Sequence, residues 1–199
     1  MDITWHGDDC FKIKGKKTSL VLNPHDKAKG LKADFVMNSD EKNKVKVEGS
    51  ERTFDWPGEY EIKGVPILGF QAWTKSRSKE GEEGGEGDST NIFYFAIGKI
   101  KFCHLGKLGH TLTTEMVKEI EDVDVLMIDG GKESNLDLKK AVEIVEAIDP
   151  RVVISMGDDQ TTLLKELGAV NLEATDKLTI KSRSELPDDK RQYVLLNQS

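Results

Sequence analysis

Residues 91–109 read NIFYFAIGKIKFCHLGKLG. Apolar and aromatic residues fill both halves of this segment, and such residues are typical of β-strands. Gly98 and Lys99 separate the two apolar runs, a spacing that is typical of a β-hairpin. After His104 the apolar pattern gives way to glycines and a lysine. The segment therefore predicts two paired strands followed by a loop.

Strand-like segments also fill most of the preceding ninety residues, whereas helical patterns appear only later in the chain. Residues 136–148 carry Leu138, Val142 and Val145 at the spacing of an amphipathic helix. Shorter helical patterns lie on either side, and apolar strand-like runs such as VDVLMID and RVVISM lie between them. Strands followed by an alternation of strands and helices predict an α/β domain with mixed sheets. We expect a single domain over residues 1–199, because this length suits one sizeable core.

The composition is that of an acidic chain, with 36 acidic against 29 basic residues and a formal net charge of −7. Nonspecific nucleic-acid binding needs a basic face, so nucleic acid is not an expected partner. No apolar run approaches the roughly 18 residues of a membrane span, and the start MDITWHGDD does not resemble a signal peptide. We therefore expect no membrane association and a cytoplasmic location. Cys10 and Cys103 lie in apolar segments, which favours buried free thiols.

Residues 74–90, TKSRSKEGEEGGEGDST, interrupt the strand pattern with glycine and charge. Such a composition cannot bury enough apolar surface to stay ordered by itself, so it predicts a flexible loop that is most mobile at about residues 78–88. One interpretation is a plain connector. The other is a flap over a pocket, because long loops in compact domains are often functional.

The order of these segments resembles the metallo-β-lactamase superfamily, in particular its small metal-dependent hydrolases related to ascorbate-6-phosphate lactonase. The resemblance covers almost the whole chain and rests above all on PGEYEIKGV, residues 57–65, and HLGKLG, residues 104–109. It implies a four-layer αββα sandwich, in which two mixed β-sheets face each other, helices lie outside, and the active site lies along one edge of the sheets. It also implies one or two metal ions, usually zinc, manganese or iron.

The residues that hold these metals in the family are replaced in this chain. The family's main motif, His-x-His-x-Asp-His after a strand, falls on ADFVMNSDEKNKVKV, residues 33–47. An aspartate in HLGD and a final histidine complete the family's ligand set. The resemblance places these residues at the ligand positions: Asp40, Lys42, Lys44, Val45, Lys107 and Gly157. Asn23 likewise stands at the position of an aspartate that usually precedes a proline, and no histidine lies near Thr74, where another ligand is expected.

These replacements oppose metal binding. A lysine ammonium offers no lone pair. At ~4 Å from a doubly charged ion it would be repelled by ~8 kcal/mol at an effective dielectric of about 20. The chain has only four histidines, and none falls on a ligand position. We therefore expect no metal cofactor.

Polar residues nevertheless gather where the resemblance places the pocket. The candidate pocket residues are Asp8, Asp129, Asp158 and His104. We expect the carboxylates to pair with the nearby lysines, because uncompensated charge in a cleft is costly. Acid-base chemistry by paired carboxylates and a magnesium ion on the aspartates are the alternatives. For His104 we expect a structural role with its ring hydrogen-bonded.

These observations favour a metal-free, catalytically inactive protein of this fold with a binding or assembly role. The alternative is a hydrolase of small esters, lactones or phosphodiesters that uses a rebuilt carboxylate or metal site. A fold does not decide between such functions. The expected partner is a small molecule or a protein that the sequence does not identify. Because relatives often self-associate, the resemblance also admits a homo-oligomer.

Overall fold

The computed structural model describes residues 1–28, 30–75 and 87–199. Within these ranges the strands are β1 (Asp2–Trp5), β2 (Phe11–Lys14), β3 (Ser19–Leu22), β4 (Phe35–Met37), β5 (Arg52–Phe54), β6 (Gly58–Ile62), β7 (Val65–Trp73), β8 (Ser89–Ile97), β9 (Ile100–His104), β10 (Val125–Asp129), β11 (Val152–Met156), β12 (Leu178–Thr179) and β13 (Gln192–Val194). The helices are α1 (Thr114–Glu119), α2 (Leu138–Ile148) and α3 (Gln160–Glu166), with a short 3₁₀ helix at Arg183–Glu185.

The strands form two mixed sheets. The six-stranded sheet has the order β12-β1-β2-β3-β4-β5, and the seven-stranded sheet has the order β13-β11-β10-β9-β8-β7-β6. In the first sheet β3, β4 and β5 are parallel, and in the second β9, β10, β11 and β13 are parallel. The predicted hairpin is confirmed: β8 and β9 pair antiparallel, with Ile97 opposite Ile100 across the Gly98-Lys99 turn.

The main core lies between the two sheets. Alternate residues of a strand point to opposite faces of its sheet. In β10, Val125 and Met127 contact the inter-sheet core, whereas Leu126 and Ile128 contact a second apolar layer on the outer face. All four of these side chains are buried. The continuous apolar run of β10 therefore reflects a strand that is covered on both faces.

The three helices pack on the outer face of the seven-stranded sheet. Helix α2 begins after Asp137, whose carboxylate accepts a hydrogen bond from the Lys139 amide at 2.9 Å. It buries Ala141, Ile144, Val145 and Ile148 against the sheet, while Leu138 and Val142 are partly buried at the same layer. The amphipathic helix that the sequence predicts is thus confirmed outside one sheet.

The outer face of the six-stranded sheet is covered differently. Val21 and Val36 point outward from this sheet and pack with Leu31, Ala33 and Val47, which lie in chain segments outside the named strands and helices. The predicted sandwich of two mixed sheets is confirmed. The layer that covers the outer face of the six-stranded sheet consists of chain without regular secondary structure.

Most of the predicted flexible loop lies outside the described residues. Of residues 74–90, Thr74, Lys75, Gly87 and Asp88 precede or follow the gap, and the Thr74 amide donates to the Asp88 carbonyl at 3.0 Å. Strand β8 begins at Ser89, within the last two positions of this segment. The prediction of mobility at residues 78–88 falls almost wholly on residues that the structure does not describe. None of the helices in the described part of the chain has the length and apolar character that a membrane crossing requires.

Candidate functional site

A polar cleft of about 530 Å³ opens at one edge of the sandwich, where strands of both sheets end. The loops after β1, β3 and β4 contribute from the six-stranded sheet, and the loop after β9 contributes from the seven-stranded sheet. The residues that matter most for its chemistry are Asp8, Asp9, Asn23, Ser39, Asp40 and Lys107.

Asp8 and Lys107 form an ion pair across the cleft, with 3.4 Å between the lysine Nζ and the aspartate Oδ2. The Asp8 backbone lies in the left-handed region, and its carbonyl accepts hydrogen bonds from Trp5 Nε1 at 2.8 Å and from the Gly157 amide at 3.0 Å. Burial alone would lower the pKa of Lys107, but the nearby carboxylates, Asp9 first, outweigh it and raise that pKa. Lys107 is therefore a firmly protonated cation in this cleft.

Asp9 is the most deeply buried carboxyl of the cleft, with 7% of its surface exposed. Its Oδ2 accepts a hydrogen bond from Asn23 Nδ2 at 2.7 Å, and Asn23 also accepts one from the Ser39 amide at 2.6 Å. Burial raises the pKa of Asp9 to about 6, and the negative charge of Asp8 adds to this effect, while Lys107 and the Asn23 hydrogen bond oppose it. Asp9 therefore changes its protonation state close to neutral pH.

His104 lies beneath the cleft and is completely buried. Its Nδ1 accepts a hydrogen bond from the Gly106 amide at 3.2 Å, so the ring proton is on Nε2, which lies 3.0 Å from the Asp9 carbonyl oxygen. Burial lowers the pKa of His104 to about 4, so the ring is neutral at pH 7. Because backbone groups engage both nitrogens, this histidine fixes the loop that carries Asp9.

The predicted motif after β4 is divided between the cleft and its rim. Asp40 and Val45 line the cleft. Lys42 and Lys44 do not line it; their ammonium groups lie 3.3 Å from Asp88 and Asp55, respectively, and both side chains are largely exposed. The backbone of the motif is a turn in which the Asp40 carboxylate accepts a hydrogen bond from the Lys42 amide at 2.8 Å. Only part of the predicted charged set therefore faces a common space.

Asp129 and Gly157 adjoin the cleft on the side of the seven-stranded sheet. Gly157 has a φ of +86°, and a Cβ atom at this position would lie 2.6 Å from Oδ1 of Asp129. Burial raises the pKa of Asp129, and the charges of Asp8 and Asp158 add to the shift. Asp158 is exposed and is not part of the cleft lining. The carboxyl of Asp129 thus fills the space that a side chain at position 157 would need.

Thr90 and Asn91 are buried polar residues of this region that the sequence did not single out. Thr90 lines the cleft, and within the described residues its Oγ1 has no hydrogen-bond partner. The Asn91 side chain donates to the Asp55 carbonyl at 2.8 Å. Both residues lie at the start of β8, directly after the Gly-rich segment. A polar pair at the start of a strand could have indicated a site. The preceding segment is also polar, however, so the sequence does not show where the strand begins.

The cleft does not fit a metal ion held in the manner that the resemblance implies. Among residues 1–28, 30–75 and 87–199, no three His, Cys, Asp or Glu side chains are arranged to hold a metal ion. The Lys107 ammonium lies against Asp8, one of the carboxylates that could have bound a cation. His104 has no free nitrogen, since both accept or donate hydrogen bonds with the backbone. A tetrahedral or octahedral ligand set is therefore not formed by these residues.

The sequence of this chain matches a known protein family. The family model described as the beta-lactamase superfamily domain matches residues 2–157. The chain belongs to the beta-lactamase superfamily. The match includes all the described residues that line the cleft, from Asp8 to Asn135.

Relatives in this superfamily are named as metal-dependent hydrolases. A UPF0173 metal-dependent hydrolase of Thermoplasma acidophilum is 27% identical over 189 residues, which cover 78% of this chain and 82% of the relative. A UPF0173 protein of Pyrococcus abyssi is also 27% identical, over 177 residues. A solved structure of a candidate Zn-dependent hydrolase of the metallo-beta-lactamase superfamily from Thermotoga maritima has a TM-score of 0.78 and 27% identity, covering 98% of this chain and 97% of that chain. The fold is shared over nearly the full chain.

Proposed function

We propose that this beta-lactamase superfamily member binds a small polar molecule in its cleft without a metal ion. The observation that carries the proposal is the ion pair between Lys107 and Asp8, at a position where the resemblance implies a metal ligand. A metal ion near Asp8 would meet the Lys107 ammonium, a repulsion of ~8 kcal/mol at ~4 Å and an effective dielectric of about 20. The ammonium instead pairs directly with the Asp8 carboxylate.

The charges of the cleft favour a neutral or cationic ligand. Among the described residues that line the cleft, Asp8 pairs with Lys107, and Asp88 pairs with Lys42 at the rim. This leaves Asp26, Asp40 and the partly protonated Asp9 against Lys75. The excess of carboxylates would repel a small anion. The buried Thr90 hydroxyl, which lacks a partner among the described residues, offers a hydrogen bond to a ligand. A small molecule with hydroxyl and amine groups satisfies these requirements.

The proposal is tested by NMR titration in the presence of chelator with three probes of similar size and different charge: glucosamine, glucose and gluconate. We expect glucosamine to shift the amide signals of the cleft residues most and gluconate least. Asp40→Asn should weaken the binding about tenfold, since a hydrogen bond to a charged group contributes about 1.5–3 kcal/mol. Asp189→Asn, at an exposed position outside the cleft, is the matched control. Preferred binding of gluconate, or no binding of any probe, would contradict the proposed ligand class.

Metal independence is tested separately by calorimetric titration of chelator-treated protein with zinc and manganese. We expect no binding tighter than about micromolar, which corresponds to roughly 8 kcal/mol. Neither ion should raise the melting temperature by much, because a ligand stabilises the native state only in proportion to how tightly it binds that state. Stoichiometric, tighter binding would refute the metal-free part of the proposal.

Metal-independent hydrolysis is a second candidate, and the buried Asp9 favours it. A carboxyl with a pKa of about 6 is half ionised at about pH 6 and mostly ionised at pH 7, which suits a general base. The names of the relatives point to the same reaction class. The test is hydrolysis of a nitrophenyl ester, a lactone and a phosphodiester in chelator. Turnover that survives chelator, rises through pH 6 and disappears in Asp9→Asn would establish this candidate; its absence would leave binding as the function.

A further inference from the structure

A second cavity, of about 520 Å³, opens at the opposite end of the sandwich. Met1 precedes β1 and Ile100 begins β9, and both line this cavity. Asp8 and Lys107, which line the polar cleft, instead follow the other ends of the same two strands. The two cavities therefore lie at opposite ends of the strands, and a ligand in one does not contact the other.

The floor of this second cavity is apolar and belongs to the inter-sheet core. It is formed by these buried side chains: Val65, Ile97, Ile100 and Ile180. Gly64 and Gly98 occupy the tight turns at its mouth, and a Cβ atom at either position would meet nothing within 4 Å. These turns therefore border open space, and the small parts of the floor side chains that face the cavity offer an apolar contact to a ligand.

The charged side chains among the described residues that line the rim are all cationic. Its cationic residues are Lys16, Lys17, Lys63, Lys99, Lys181 and Arg183, and no aspartate or glutamate is found among the described residues that line the cavity. This concentration occurs in a chain whose net charge is −7. We refer to the apolar floor and this rim together as the basic groove.

Two of the rim cations are already paired. The Lys63 ammonium lies 2.7 Å from Asp34 and 2.8 Å from Glu51, and the Arg183 guanidinium pairs with Asp124.

The other four rim cations are exposed: Lys16, Lys17, Lys99 and Lys181. Within the described part of the chain, no ion pair forms at their ammonium groups. They come from three separate segments, the β2–β3 turn, the β8–β9 turn and the chain after β12. Their charge is therefore available to a ligand.

We propose that the basic groove binds a free amphipathic anion, a medium-chain carboxylate, with its apolar chain on the floor and its carboxylate among the unpaired lysines. A purely polar anion would make no use of the apolar floor, and an apolar cation would be repelled by the rim. The volume of about 520 Å³ lies within the usual range of small-molecule sites. This inference does not depend on the proposed function of the polar cleft.

The probe is decanoate, used below its micelle concentration and titrated into isotopically labelled full-length protein. We expect saturable one-to-one binding, with amide shifts confined to the basic groove. The double variant Lys17→Gln/Lys99→Gln should weaken the binding about tenfold, or ~1.4 kcal/mol. The double variant Lys118→Gln/Lys139→Gln removes the same charge from exposed positions outside the groove and should leave the affinity unchanged. Raising the salt concentration should weaken binding to the wild type more than to the groove variant.

Each of the other outcomes would overturn the proposal. Equal binding of decanol or decyltrimethylammonium would show a hydrophobic crevice without selectivity for anions. Equal weakening by both double variants would show a general effect of net charge. Binding only to vesicles of anionic lipid, or only to a polyanion such as polyphosphate, would show an adhesive basic surface instead of a groove for a free carboxylate. Shifts at the polar cleft, or no saturable binding, would place the site elsewhere or remove it.

Discussion

The substitution Asp9→Asn should stabilise the protein in a strongly pH-dependent manner. Folding buries Asp9 and raises the pKa of its carboxyl from the ordinary 3.8 to about 6. Below about pH 4 the carboxyl is protonated in both the folded and the unfolded state, so it has no effect on stability. Above pH 6 the folded state must hold a buried carboxylate, whereas the unfolded state holds a hydrated one. Stability is therefore lost as the pH rises between these two values.

The size of this loss follows from the two pKa values. Each pKa unit corresponds to about 1.4 kcal/mol, so the rise from 3.8 to about 6 destabilises the folded state by about 3 kcal/mol at pH 8. Asparagine is neutral at every pH and its side-chain oxygen can still accept the hydrogen bond from Asn23, which is 2.7 Å long in the wild type. Relative to the wild type, Asp9→Asn should gain up to about 3 kcal/mol between pH 4 and pH 8.

The assay is urea denaturation of both proteins at intervals of half a pH unit. The difference in the free energy of unfolding between Asp9→Asn and wild type isolates the Asp9 carboxyl, because all other groups are common to the two proteins. Asp189→Asn serves as a control for the loss of one carboxylate from an exposed position. A difference that stays constant from pH 4 to pH 8, or a variant that becomes less stable than wild type as the pH rises, would refute the argument that burial dominates at Asp9.

Three further outcomes are expected. Gly157→Ala should cost about 2 kcal/mol of stability in urea, because the position has a φ of +86° and the new Cβ would lie 2.6 Å from Asp129; an unchanged midpoint would contradict the close approach. Asp124→Asn should cost about 3–5 kcal/mol, because this fully buried carboxylate pairs with two arginine side chains; a cost below about 1 kcal/mol would show that the pairs contribute little. Burial raises the pKa of Cys10 to about 12 and also raises that of Cys103, so neither native thiol should react with a maleimide at pH 8 until denaturant is added; rapid native labelling would show that the layers around them open.

The sandwich could be predicted because its signals are local. The alternation in β8 and β9 and the Gly98-Lys99 turn between them are encoded within 19 residues, and the structure pairs these strands as expected. The helix over Leu138–Ile148 is likewise encoded by its apolar spacing. Local signals do not show how each outer face is covered. The irregular chain over Val21 and Val36 is an outcome of packing between distant segments.

The candidate site was harder to predict, because neighbouring residues in the sequence have different surroundings. Nothing in GDDC shows that Asp9 is buried while Asp8 faces Lys107. That difference depends on the contact of the Asp8 carbonyl with Gly157, about 150 positions further along the chain. Lys42 and Lys44 share one short motif with Asp40, yet neither lines the cleft, and they pair with Asp88 and Asp55, respectively. The sequence motif identifies positions along the chain, but it does not show the direction in which each side chain points.

The electrostatics around Asp9 follow from the single ammonium group of Lys107, which lies near two carboxylates. A doubly charged ion could neutralise two carboxylates at once, whereas Lys107 carries one positive charge and pairs directly with Asp8. Asp9 is then left without a full counter-charge in a buried place, and its pKa of about 6 is the physical consequence. The same lysine therefore pairs with Asp8 and leaves one carboxyl that titrates at about pH 6. Binding of a cationic ligand should lower the pKa of Asp9, and this coupling would make the affinity of the cleft increase from pH 5 to pH 7.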